Sequence, residues 1–224
     1  MLYYGARDPF DRSEAIGMSN KSGSDILERM EVRELIEKWV LYRDAADWEN
    51  FRSLWADDGR MIATWFSGTA EEFIKVSIEG VDQGTYILHF LGGSIVDIEG
   101  DRAVAQTKMT IAQRGEVQGV ECDIVGTGRF YDLIERRDGD WRIVLRQPIY
   151  ERDHMTPVEP SQSLTLDSEI LARYPVGYQH LAYFLQGRGY DVKRDMPGLS
   201  GPRLEALYAH GAAWLEGKPD NWDR

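Results

Sequence analysis

Residues 128–144 read Gly128-Arg129-Phe130-Tyr131-Asp132-Leu133-Ile134-Glu135-Arg136-Arg137-Asp138-Gly139-Asp140-Trp141-Arg142-Ile143-Val144. Two runs rich in β-branched and aromatic residues flank an Asp-Gly pair. That pattern predicts a β-hairpin, because the tight turn needs positive φ at both central positions and Gly and Asp tolerate it. Working outward, the same grammar repeats. Tyr86–Glu99, Ala103–Arg114, Val117–Arg136 and Trp141–Tyr150 are predicted strands, divided at Glu99-Gly100-Asp101, at Arg114-Gly115-Glu116 and at Arg137-Asp138-Gly139-Asp140. Consecutive strands joined by such short turns form an antiparallel meander.

Upstream the period changes. Leu27, Met30, Leu35, Ile36, Trp39 and Val40 recur at helical spacing and predict a helix over residues 25–44 with one buried stripe. Ser24 is its predicted N-cap, and Asp25 and Glu28 suit the positive end of its dipole. A short helix over 48–55 capped by Asp47, a strand over 61–66 and a helix over 69–79 complete this part. Helices followed by a long meander predict an α+β domain over residues 25–155. Residues 1–24 read as a flexible tail with Tyr3, Tyr4 and Phe10 as apolar anchors. Beyond Tyr150, Pro157 and Pro160 mark a linker, and residues 168–174, 178–186 and 203–215 read as helices. The segment 156–224 has too few apolar residues for its own core. It is expected to cover the domain's open mouth or a neighbouring protomer.

The chain's 224 residues suit one domain with an appendage. Its net charge of −12 opposes nucleic acid and anionic membrane surfaces as partners. Cys122 stands alone, so no intrachain disulfide can form. No apolar run approaches the roughly 20 residues of a membrane helix, and the N-terminus lacks the pattern of a signal peptide, so a cytoplasmic location is expected. His89, His154, His180 and His210 show no metal-ligand spacing, and neither a G-x-G-x-x-G turn nor a phosphate loop occurs. Neither a metal nor an organic cofactor is expected.

Two residues stand out for chemistry. Ile36, Val40 and Asp44 form one i, i+4, i+8 row, so Asp44 continues the buried stripe at the helix end, where the dipole disfavours an acid. Either a donor partner holds it there, or the helix frays and Asp44 caps the next turn. His89 lies in the apolar run Ile87-Leu88-His89-Phe90-Leu91. It is either a satisfied core residue or a proton carrier near neutral pH, and Asp44 behind it would orient the ring and favour its charged form. Arg146, on the otherwise apolar Val144-Leu145-Arg146-Gln147, reads equally as an outward salt bridge or a pocket cation. Asp123 is a further strand acid. Trp39, Trp65, Phe66, Phe90 and Phe130 are candidates for an aromatic slot, with Tyr42 and Lys108 as possible donors to a substrate oxygen.

The order of motifs resembles the SnoaL-like branch of the NTF2-like superfamily over residues 25–155. Tyr42-Arg43-Asp44-Ala45-Ala46-Asp47-Trp48 and Leu54-Trp55-Ala56-Asp57-Asp58-Gly59 resemble its first helical hairpin. Leu88-His89-Phe90 with Val96-Asp97-Ile98 resembles its histidine strand. Gly128 to Asp132, Arg136 to Gly139 and Trp141 to Ile143 resemble its last hairpin. The resemblance implies a cone of N-terminal helices on a curved antiparallel sheet, enclosing a dead-ended pocket. It implies a His–Asp dyad at His89 and Asp44, as in the dehydratases and dehydrochlorinases of the superfamily, with Arg146 supporting the leaving group. Trp39 stands where a dehydrochlorinase can carry lysine, which counts against halide elimination.

The function so implied is a cofactor-independent lyase acting on a small hydroxylated aromatic substrate, losing water, or losing formaldehyde as from lignin-derived diaryl diols. His89, Asp44 and Arg146 would be catalytic, with Tyr42, Trp39, Trp65, Phe90 and Lys108 binding substrate. A polyketide-type cyclase or isomerase is one alternative; a non-catalytic scaffold like a dioxygenase β subunit is the other. A homo-oligomer is expected, a trimer before a dimer.

Overall fold

A computed structural model describes residues 23–223. Tyr3, Tyr4, Phe10 and nearly all of the expected tail lie outside the described residues. Helix α1 spans Gly23–Asp44, so Ser24 falls inside its first turn instead of preceding it. Val32, Leu35, Ile36, Trp39, Val40 and Arg43 make its buried stripe. Leu27 and Met30, assigned to that stripe from spacing, are 62% and 59% exposed. Full burial begins only at Val32, although Glu28 already pairs with Arg136 at 2.9 Å.

Asp47 caps α2 (Trp48–Ser53) by accepting the Asn50 N–H. Strand β1 (Trp55–Ile62) starts earlier than periodicity indicated and turns at Ala63 into β2 (Ser67–Thr69). Thr69 and Glu72 form a reciprocal capping box at the start of α3 (Ala70–Asp82). The meander follows as β3 (Ile87–Glu99), β4 (Arg102–Val117), β5 (Val120–Arg137) and β6 (Asp140–Pro157).

The β5–β6 turn is at Asp138-Gly139, both with positive φ. The β4–β5 turn is not at Arg114-Gly115-Glu116. Gln118 (φ 53°) and Gly119 (φ 80°) make it, between the paired Val117 and Val120. Gly115 continues the strand, and its missing side chain gives room to the Phe184 ring, which a Cβ there would meet at 2.7 Å.

The strands lie in the order β2-β1-β6-β5-β4-β3. The expected all-antiparallel sheet is in fact mixed, because β1 runs parallel to β6. Alternation then builds two cores. One face carries Phe130, Ile134 and Ile143 against α1, α2 and α3. The other carries Val104, Tyr131 and Leu133 against Leu207 and Trp214 of α6 (Pro202–Leu215). Helices α4 (Ser168–Leu171) and α5 (Gln179–Gly187) precede α6. The C-terminus is tied down by Arg60, which donates to the Trp222 carbonyl at 2.6 Å, and by Arg102, stacked 3.9 Å over Trp214.

Strand β5 approaches β6 closely at Gly128, beside a register shift, where a Cβ would overlap the Ile149 carbonyl. Gly128→Ala should therefore cost about 3 kcal/mol in urea unfolding, at the upper end for overpacking. An unchanged midpoint would contradict this approach.

Candidate active site

Strand β3 is an edge of the sheet, and the last turn of α1 is set against it. Along β3, Ile87, His89 and Leu91 are partly buried, whereas Leu88 and Phe90 face outward. Asp44, the final residue of α1, holds His89 twice. Its Oδ1 lies 2.7 Å from His89 Nδ1, and its Oδ2 accepts the His89 backbone N–H at 2.7 Å. These two donors offset the unfavourable placement of an acid at a helix C-terminus. Since an ionised carboxylate only accepts, Nδ1 carries the hydrogen and Nε2 keeps its lone pair. Trp39 meets the ring edge-on at 5.4 Å, and Phe130 lies 6.0 Å away.

The His89 side chain is 6% exposed. Burial pushes the imidazole below its ordinary value; Asp44 opposes this, and Arg43 and Arg146 add to it. Asp44 favours the charged ring as expected, but burial outweighs it. A neutral imidazole at neutral pH results. The ring should titrate by NMR with a midpoint below about 6.5, and Asp44→Asn should move it lower still. A midpoint above 6.5 would contradict the dominance of burial. Because the fold depresses this value, the associated stability is present above about pH 6.5 and declines as pH falls through the lowered folded value.

His89 lines a cavity of about 50 Å³ together with Trp39, Trp65, Phe130, Thr64 and Tyr150. A second cavity of about 40 Å³ shares Arg43, Trp65, Ile87 and Gln113 with the first and reaches Phe184 and Leu185 of α5. An outer hollow of about 260 Å³ shares Phe184 and Arg188 with the second. The three adjoin through these shared walls, and α5 contributes to each of them. Burial pushes the Tyr150 phenol up to about 12, against an opposing pull from Thr64, so its O–H is a neutral donor.

His–Asp pairing alone does not single out this site. His180 Nδ1 lies 2.8 Å from Asp153, which also accepts the N–H groups of His180 and Leu181 and so caps α5. His210 Nε2 lies 2.8 Å from Asp220 and stacks on Trp222. Neither of these rings lines the cavities just described.

Of the residues expected from sequence, His89, Asp44, Trp39, Trp65 and Phe130 come together. Arg146 does not reach the cavity. Fully buried, it is committed to Asp132 by two bonds of 2.7 and 2.8 Å, between Trp39 and Phe130 at 4.2 and 4.3 Å. Phe90 is 77% exposed on the outer face, since alternation that turns His89 in turns Phe90 out. Lys108 also faces outward, on Glu151 at 2.6 Å. Tyr42 lines an open groove with Lys38 and Trp141. Asp123 pairs with Arg114 at 2.7 Å, and Phe66 packs on Phe73 outside the cavity lining. Arg43, Gln113, Thr64 and Tyr150 were not expected. Arg43 had a signal, four residues beyond Trp39 on the same helix face.

Residues 24–147 match the model of the SnoaL-like domain. The chain belongs to the SnoaL-like domain family. That domain covers α1 to the middle of β6, whereas Tyr150, Leu181 and the α5 residues that line the outer cavities lie beyond it. The chain is 38% identical over 218 residues to the pea pathogenicity protein 2 of Fusarium vanettenii, covering 92% of this chain and 94% of that protein. A PEP2-like protein of the same fungus is 40% identical over 205 residues, covering 86% and 88%. Similarity to these relatives therefore runs past the SnoaL-like domain into the C-terminal segment. Among solved structures, the hexachlorocyclohexane dehydrochlorinase of Novosphingobium barchaimii aligns with a TM-score of 0.51 at 16% identity, covering 63% of this chain and 97% of that one. This is likeness of fold.

Proposed function

We propose that the chain is a cofactor-independent lyase that eliminates water from a small hydroxylated substrate by acid–base chemistry. The observation that carries the reading is a neutral imidazole, held through Nδ1 by Asp44, whose ring borders an aromatic-walled cavity. In the proposed reaction Nε2 of His89 takes a proton from carbon, and that bond's electron pair forms the new double bond as the carbon–oxygen bond breaks. The departing hydroxyl takes the Tyr150 proton and leaves as water. Proton exchange between His89 and Tyr150 restores both groups. Asp44 stabilises the transient imidazolium. Arg146 acts here as a positioning residue, since it fixes the Trp39 and Phe130 rings that flank His89.

Cavity size narrows the substrate. An engineered protein cavity that holds benzene measures roughly 150 Å³, and the inner chamber offers about 50 Å³. A single ring must therefore displace Trp65 or shift Leu181 and α5. A diaryl diol releasing formaldehyde fits far less well than a small alcohol losing water.

Incubating the protein with a panel of small hydroxylated compounds, aromatic ones included, and following them by mass spectrometry should give a product lighter by one water. Products of unchanged mass would indicate isomerisation or cyclisation instead. No conversion across the panel would count against a lyase.

A further inference from the structure

Among the described residues, the inner cavities are lined by cations and by no acid. Arg43 lines both, Arg188 lines the outer of the two, and neither Asp nor Glu is among their lining residues, although the chain carries a net charge of −12. Arg43 is only 5% exposed. Its guanidinium lies 5.4 Å from the Trp48 ring centre, and its side chain has no hydrogen bond or ion pair with any described residue. Both oxygens of the adjacent Asp44 are engaged by His89. Gln113, 8% exposed, lines both cavities with its amide likewise unbonded to described residues. Ser77 adds a buried hydroxyl with no partner among the described residues at the second cavity. Buried polar groups, and charges above all, are normally paired. Arg146 shows how this chain pairs a buried guanidinium when the role is structural, with a carboxylate of its own. Arg43 lacks one.

We propose that the ligand of this cavity carries a carboxylate or comparable small oxyanion, received by the Arg43 guanidinium with the Gln113 amide beside it. Arg43 is thus the specificity-determining residue of the site. The proposal rests on the elimination reading only in identifying the ligand as the substrate. Binding of the anion stands independently of turnover. Burial holds Arg43 below its ordinary value, with Asp44 opposing, and a bound anion would relieve that cost. A guanidinium also offers a carboxylate two parallel N–H donors, which a neutral amide ligand cannot exploit equally.

The test is NMR titration of the full chain with sodium acetate, acetamide, and sodium chloride at matched ionic strength, read on the Trp39 and Trp65 indole signals. Acetate should shift them saturably, and acetamide and chloride should not. Arg43→Gln should weaken acetate by at least about tenfold, the scale of a lost charge-assisted contact, whereas Arg43→Lys should keep part of it, having the charge without the fork, and His89→Ala should keep it. Equal binding of acetamide, no saturation with acetate, or undiminished binding in Arg43→Gln would overturn the proposal. Should Arg43→Gln fail to fold, the acetate–acetamide contrast in the unsubstituted protein and in Arg43→Lys decides. If His89→Ala keeps full turnover while Arg43 still selects acetate, the elimination reading fails and the anion site stands.

Discussion

His89→Ala is expected to lower turnover by between about a hundredfold and ten-thousandfold, the usual worth of a positioned general base, while the protein stays folded. The side chain faces a cavity on one side and Asp44 on the other, and no strand pairing depends on its ring. Asp44→Asn should lose at least about a hundredfold. Asparagine can still accept the His89 backbone N–H, but it cannot stabilise the imidazolium as a carboxylate does. The measurement is steady-state kinetics on whichever compound the panel identifies, beside thermal unfolding of each variant. Full turnover in both would remove the dyad from the reaction.

The second large effect concerns stability. Asp132→Ala should cost about 3–5 kcal/mol in denaturant unfolding, the typical penalty for stranding one charge of a buried pair. Arg146 would be left between Trp39 and Phe130 with no acid to neutralise it. The double variant Asp132→Leu with Arg146→Met should recover most of the loss, because it removes both charges and keeps apolar volume. Turnover should fall in the single variant as well, since those two rings wall in His89. A loss under about 1 kcal/mol in the single variant would show that water reaches the pair.

Much of the architecture was legible because periodicity reports facing. The Asp138-Gly139 turn, the capped helices and the row Ile36, Val40, Asp44 each follow from spacing, and the structure puts the last of these on His89. What was illegible has local causes. In Leu88-His89-Phe90 both faces of the strand are apolar, because the outer face of this edge strand is exposed yet hydrophobic. Composition alone could not tell which side was inward, and Phe90 was misassigned. Gln113 pairs with Ile87 across β3 and β4, a register hidden by the misplaced Gly115 turn. Arg146 and Asp132 are direct cross-strand partners. Once both are known to be buried, the pair becomes plain; before that, a lone arginine in an apolar run suggested a pocket. The contribution of α5 to these cavities depends on long-range packing that no local pattern encodes.

His89 is the base of the proposed reaction, and the acid limb of kcat/KM tests that most directly. In the wild type this limb should fall below pH 6.5 and coincide with the NMR midpoint of the His89 ring, and Asp44→Asn should move both downward together. An acid limb that ignores the Asp44 substitution, or that lies apart from the His89 titration, would assign the proton transfer to another group.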